Sequence, residues 1–265
     1  MRGPGSDEMP FLDHLEELRW RIIWSLVAVV VGTVIGWFLV NSLDVLGILI
    51  APIQPLLGED GKLAYLSPTD PFFITLRLAL TVGVLLALPV IIYQVWIFLS
   101  PALLPREKKA IVPALYFGLF LFLLGVTAAY FVVLPIMFQF FAQFQQASLE
   151  QNIVIGAYLS VVVRTLMAFG IAFELPVVIL VLAILGIVDT GKLRKGRRWA
   201  LVLITIGASL VTPGDILTTF FLMMPLLVLY ELGILLARMV ERKAARRAAE
   251  EDAADAEDEK EWAGV

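Results

Sequence analysis

Long apolar runs separated by short, charge-rich segments dominate the hydropathy pattern of this chain. Set against a hydrocarbon core of about 30 Å, the runs at residues 22–40, 72–99, 111–138, 158–188, 199–211 and 216–237 predict six membrane-spanning helices. The expected fold is therefore all-α and polytopic, with an N-terminal segment over residues 1–21, a transmembrane domain over 22–237 and a tail over 238–265. The fifth and sixth helices are expected to be short. The fifth run lies between Arg197-Arg198 and Thr212-Pro213-Gly214-Asp215, and at 1.5 Å per residue it reaches only about 20 Å.

Prolines recur inside these runs, at Pro89, Pro113, Pro135, Pro176 and Pro225. Each removes a backbone donor, so the bundle is expected to be bent, with Pro89 and Pro135 among the kinks. Ahead of the first run, Phe11, Leu12, Leu15, Leu18 and Ile22 share one helical face, while Asp13, Glu16, Glu17 and Arg19 occupy the rest. That pattern predicts an amphipathic helix at the membrane surface, begun at Pro10. Anionic lipid favours Lys and Arg on such a helix, so its carboxylates suit a cationic protein partner; an acidic first turn favoured by the helix dipole is the alternative.

Composition agrees with the pattern: 60% of the 265 residues are hydrophobic and 17% charged, and the mean hydropathy is +0.90. The formal charge of −4 comes from the tail, whose residues 248–265 hold eight acids and one Lys; the rest carries 19 basic and 16 acidic residues. Lys and Arg number three, one, three, none, five, none and six in successive segments outside the runs. This alternation places both termini on the cytoplasmic side of the cell's inner membrane. Arg77 and Arg164 remain near the outer helix ends, where each can snorkel to the interface. The tail passes from basic, suited to anionic lipid, to acidic, and its composition predicts disorder. Residues 1–10 are polar, and no cleavable signal peptide is expected.

Glu174 stands out chemically. It lies in the apolar stretch Phe173-Glu174-Leu175-Pro176, with no basic residue nearer in sequence than Arg164. A carboxylate at that depth marks a functional site by default, and Pro176 frees the carbonyl of Ala172 beside it. Its roles stay open between a contact for a partner helix, a group that draws water into the membrane, and a link between helices. Asp215 is placed to cap the sixth helix. Glu107 lies among Arg106, Lys108 and Lys109, which can simply pair with it. Yet Glu17 and Glu107 fall on the same membrane face, where two carboxylates suit a ligand with two adjacent guanidinium groups.

Several motifs occur in a familiar order: His14-Leu15-x-Glu17-Leu18-Arg19, Ser67-Pro68 through Pro71-Phe72, and Leu88-Pro89-Val90 with Tyr93-Gln94-x-Trp96-x-Phe98. Pro101-Ala102-Leu103 ahead of Glu107, Phe173-Glu174-x-Pro176 and Thr212-Pro213-x-Asp215 follow. From Phe11 to Arg238 the chain resembles TatC, the multispanning subunit of the twin-arginine protein translocase. The resemblance implies a receptor for twin-arginine signal peptides of folded precursor proteins. It also implies single-span TatA-type and TatB-type partners, further copies of the same chain, and export driven by the proton-motive force. It places the twin-arginine site at Glu17 and Glu107, with Arg19 and Phe98 on the same cytoplasmic surface. Glu174 then lies in the concave membrane face and Asp215 on the outer side. Glu16 makes the N-terminal site more acidic than the family pattern, and Pro105-Arg106 precedes Glu107.

A proton-coupled secondary transporter is the rival reading, but it predicts repeated halves, and the two sets of three runs share no motif. Enzymatic chemistry is not expected. Cysteine is absent and His14 is the single histidine, which leaves no Ser-His pair within the membrane. There is no Gly-Lys-Ser/Thr phosphate loop. No cofactor, metal or nucleic-acid partner is expected.

Overall fold

The apolar runs fold as helices. The computed structural model describes residues 11–57, 63–99, 105–144, 152–211 and 216–262. The helices are α1 (Phe11–Ser42), α2 (Val45–Ile50), α3 (Asp70–Leu99), α4 (Pro105–Ala128), α5 (Leu134–Ala142), α6 (Ile155–Phe173), α7 (Leu175–Ile184), α8 (Thr190–Lys195), α9 (Arg197–Val211) and α10 (Ile216–Trp262). Among the described residues the only extended pairing is an isolated bridge between Ala64 and Val154.

Among the described residues, five stretches are long and apolar enough to cross a membrane: Asp13–Ser42, Asp70–Phe98, Pro113–Ala142, Ile155–Ile184 and Leu222–Lys243. The expected fifth span falls on α9, which has only 15 residues, and the expected sixth on the first part of α10, which is 47 residues long. No break separates the amphipathic segment from the first span. Between Pro10 and Gly32 there is neither proline nor glycine, so one helix of 32 residues carries both.

Prolines interrupt the helices at two places. Ahead of Pro135 the ladder widens into a π-helical segment, Ala129–Val133, before α5 starts. Ahead of Pro176, α6 ends and α7 begins with the proline in its first turn. Pro89, Pro113 and Pro225 sit inside continuous helices. The tail departs from the expected disorder: α10 runs 47 residues, as far as Trp262. Alanine, with Glu, Lys and Arg, has high helix propensity, and net charge alone does not cancel it.

The chain divides into two compact units, residues 1–104 with 127–167, and residues 105–126 with 168–265. In the first, α1 packs on α3 through two stripes of small residues. Gly32 and Gly36 on α1 meet Ala79 and Gly83 on α3 so closely that a Cβ on Gly36 would lie 2.5 Å from the Ala79 carbonyl oxygen. Such stripes let apolar helices approach to backbone contact, where dispersion and weak polar contacts replace the missing hydrophobic force. The opposite face of α1, with Val30, Val34 and Phe38, is exposed, as a lipid-facing surface requires. The short α2 and the 3-10 turn after it (Ala51–Leu56) are tied down by two tyrosines. The Tyr130 hydroxyl donates to the Ile48 carbonyl at 2.6 Å, and that of Tyr158 to the Leu49 carbonyl at 2.7 Å.

In the second unit, α7 is apolar on every side because it is packed on two sides. Val177 joins Ala114 and Leu121 of α4 in one buried cluster, while Ile179 and Ala183 join Ala237 of α10 in another. Past α7, Asp189 caps α8 by accepting from the Lys192 backbone N–H at 2.7 Å. That bond, followed by the bond to the Lys192 ammonium group, holds the Asp189 carboxyl below the usual aspartate range. Glu241 of α10 accepts from both the backbone N–H and the hydroxyl of Thr190.

Candidate functional site

The N-terminal turns of α1 and the C-terminal turns of α3 build a small polar ladder. His14, Glu17 and Arg21 follow at helical spacing on one face of α1, and Gln94 and Phe98 stand one turn apart on α3. At one end the His14 imidazole stacks on the Phe98 ring, centroids 4.4 Å apart and planes inclined by 15°. At the other, Arg21 Nη1 reaches Gln94 Oε1 at 3.5 Å, a long contact. Between them, Glu17 Oε1 accepts from Arg21 Nη2 at 2.8 Å.

This ion pair is mostly shielded, with side-chain exposures of 18% for Glu17 and 27% for Arg21. It is also incomplete. Glu17 Oε2 and Arg21 Nε are both buried without a hydrogen-bond partner among the described residues. A carboxylate can accept about four hydrogen bonds and an arginine can donate five, so this ladder leaves capacity for one more polar ligand. Glu16 and Arg19, by contrast, point outward and are exposed. The structure thus brings Glu17 and Phe98 to one place and leaves Arg19 on the surface. Glu107 lies in the first turn of α4, its side chain outside the described ones, and Asp215 lies outside the described residues.

The second acidic feature is in the other unit, where α6 gives way to α7. Glu174 occupies the joint: its N–H bonds the Ile171 carbonyl at 3.1 Å, and its own carbonyl accepts from Val177 and Val178 at 3.0 Å each. Pro176, buried in the first turn of α7, supplies no N–H to Ala172, which is why the ladder restarts here. The Glu174 side chain lies over Gly118 of α4, where an added Cβ would come within 2.7 Å of Oε2. Its Oε1 is buried without a hydrogen-bond partner among the described residues. A glycine niche and an unsatisfied oxygen make this a receptor for a donor, such as water or a polar side chain. Between α9 and α10, Arg197 and Glu231 pair at 2.7 Å, but both are about half exposed, and such a pair contributes little.

The sequence motifs include Gln94 without giving it a partner, and they leave out Arg21 and Gly118. Helical spacing from Glu17 would have flagged Arg21; nothing in the sequence pairs α1 with Gln94 or Gly118 with Glu174.

The family model described as Sec-independent protein translocase protein (TatC) matches residues 13–225. The TatC protein of Desulforapulum autotrophicum is 37% identical over 253 residues, covering 96% of this chain and 92% of that protein. That of Aquifex aeolicus is 38% identical, covering 89% and 97% respectively. That of Escherichia coli K12 is 36% identical, covering 91% and 93%. Among solved structures, a crystal structure of the twin-arginine translocase receptor TatC superimposes with a TM-score of 0.76 at 37% identity, covering 86% of this chain and 99% of that one.

Proposed function

Because the chain belongs to the TatC family of Sec-independent protein translocase proteins, we propose that it is the twin-arginine signal-peptide receptor of its translocase. Members of this family are multipass membrane components of a protein translocase and not enzymes. In the proposed mechanism, Glu17 and Glu107 each take one guanidinium of the signal, Phe98 offers an apolar shelf, and Arg19 presents its charge at the same cytoplasmic surface. The signal's apolar segment then lies along the helices. Export uses single-span TatA-type and TatB-type partners, further copies of this chain and the proton-motive force, at the cell's inner membrane with both termini inside.

The observation that carries this reading is the shielded Glu17 carboxylate with one oxygen unbonded. It is a vacant acceptor beside an aromatic stack, the environment in which a planar guanidinium binds best. Twin-arginine and twin-lysine versions of one peptide, titrated onto the detergent-solubilised chain, test it. Lysine cannot form the two-bond fork, so the twin-lysine peptide is expected to bind about tenfold or more weakly. Equal affinities would argue against recognition by the fork.

Glu174 acts later, as the polar contact for a partner's single-span helix. Its unbonded Oε1 supports this assignment. Crosslinking of a TatA-type helix to positions flanking residue 174 is expected to fall in Glu174→Ala, with export falling too. Identical crosslinks together with normal export would reduce Glu174 to a structural link.

A further inference from the structure

The Glu17–Arg21 contact is spaced like an ordinary helix-stabilising pair, but three features set it apart. It is shielded, each partner keeps a buried polar atom unbonded, and Arg21 has a second acceptor within reach on another helix, Gln94. An exposed pair four residues apart has water for all its spare valences; here Glu17 Oε2 and Arg21 Nε are shut off from solvent. The Arg21 guanidinium makes a single bond to the carboxylate, where a fork would make two.

We propose that Arg21 is a specificity-setting placeholder, an internal guanidinium that occupies Glu17 while the site is empty and transfers to Gln94 when a ligand arginine arrives. The inference rests on the receptor reading above. Competition supplies the selectivity. An incoming arginine exchanges one internal bond for a two-bond fork and gains by it. An incoming lysine offers a point charge, exchanges one bond for one, and gains almost nothing over Arg21. Arg21 is the cation bonded to the Glu17 carboxylate, with the His14–Phe98 stack at one end of the ladder and Gln94 at the other, so among the described residues Arg21 is the competing cation.

The test is peptide titration, read by fluorescence anisotropy, on the full-length solubilised chain as wild type, Arg21→Gln, Arg21→Lys and Gln94→Leu. Without the placeholder both carboxylate oxygens are open to any cation. Arg21→Gln is therefore expected to bind the twin-lysine peptide roughly tenfold more tightly, with a smaller gain for the twin-arginine peptide, so that discrimination collapses. Arg21→Lys keeps the charge without the fork and should fall between. Gln94→Leu removes the receiving acceptor and should weaken twin-arginine binding, the opposite sign to Arg21→Gln. Nonspecific damage to the site would weaken binding in every variant, and that outcome overturns the proposal. So does wild-type-like discrimination in Arg21→Gln. If the wild type itself fails to bind the twin-arginine peptide, the receptor reading falls, and this inference with it.

Discussion

Glu17→Gln combined with Glu107→Gln is expected to abolish crosslinking to a twin-arginine peptide while the chain still inserts in the membrane. Glutamine keeps the size of the side chain and one carbonyl acceptor, so the Arg21 contact at position 17 survives in weakened form and α1 keeps its seat on α3. What is lost is the second anionic oxygen that a fork requires. Removing one partner of a desolvated charge pair at an interface costs about 2–5 kcal/mol. Even one such loss lowers affinity roughly thirtyfold to a few thousandfold. Site-specific photocrosslinking of membrane vesicles to a radiolabelled peptide reads this directly, with carbonate extraction as the insertion control. Unchanged crosslinking in the double variant would remove the twin-arginine assignment from these residues.

Gly83→Val is expected to damage the chain more broadly. A Cβ at position 83 would lie 2.5 Å from the Thr33 backbone nitrogen and 2.6 Å from its Cα, and a Cβ built on Gly32 would likewise come within 2.5 Å of the Gly83 carbonyl oxygen. These obstacles are backbone and cannot rotate away, so α1 must back off from α3. Overpacking of this kind costs about 1–3 kcal/mol. Because the same helix pair carries His14 and Glu17 on one side and Gln94 and Phe98 on the other, separation also pulls the binding ladder apart. Thermal unfolding in detergent should show a lowered midpoint, and twin-arginine peptide binding should fall in parallel. Gly156→Ala is the control: nothing lies within 4 Å of its added Cβ, and it sits in α6. There alanine should be neutral or stabilise by about 0.5–1 kcal/mol. A Gly83→Val chain that melts like wild type would show that the two stripes do not hold these helices.

The spans, the short α9 and the break at Pro176 were legible in the sequence because hydropathy and proline act locally. So were the acidic residues proposed as sites, since a carboxylate within or beside an apolar run is anomalous on its face. The small-residue stripes were not read, because Gly32, Gly36, Ala79 and Gly83 signify only when two helices are known to face each other. Residues 45–56 read as a connection, yet they hold α2 and a 3-10 turn, each six residues long and too short to show a period. Their order depends on hydroxyls from Tyr130 and Tyr158, which arrive from some 80 to 110 positions away. The tail shows the converse: charge suggested disorder, and alanine-rich helix propensity prevailed in α10.

The niche that Gly118 makes for Glu174 ties the histories of two positions together. A methyl group at 118 and a full-length glutamate at 174 compete for the same space, whereas an aspartate, one methylene shorter, withdraws from it. Taken alone, Gly118→Ala displaces the carboxylate, and Glu174→Asp leaves a void over the glycine. The two substitutions compensate in volume, so relatives carrying alanine at the first position should tend to carry the shorter acid at the second. A selection for export starting from Gly118→Ala should return Glu174→Asp among its suppressors.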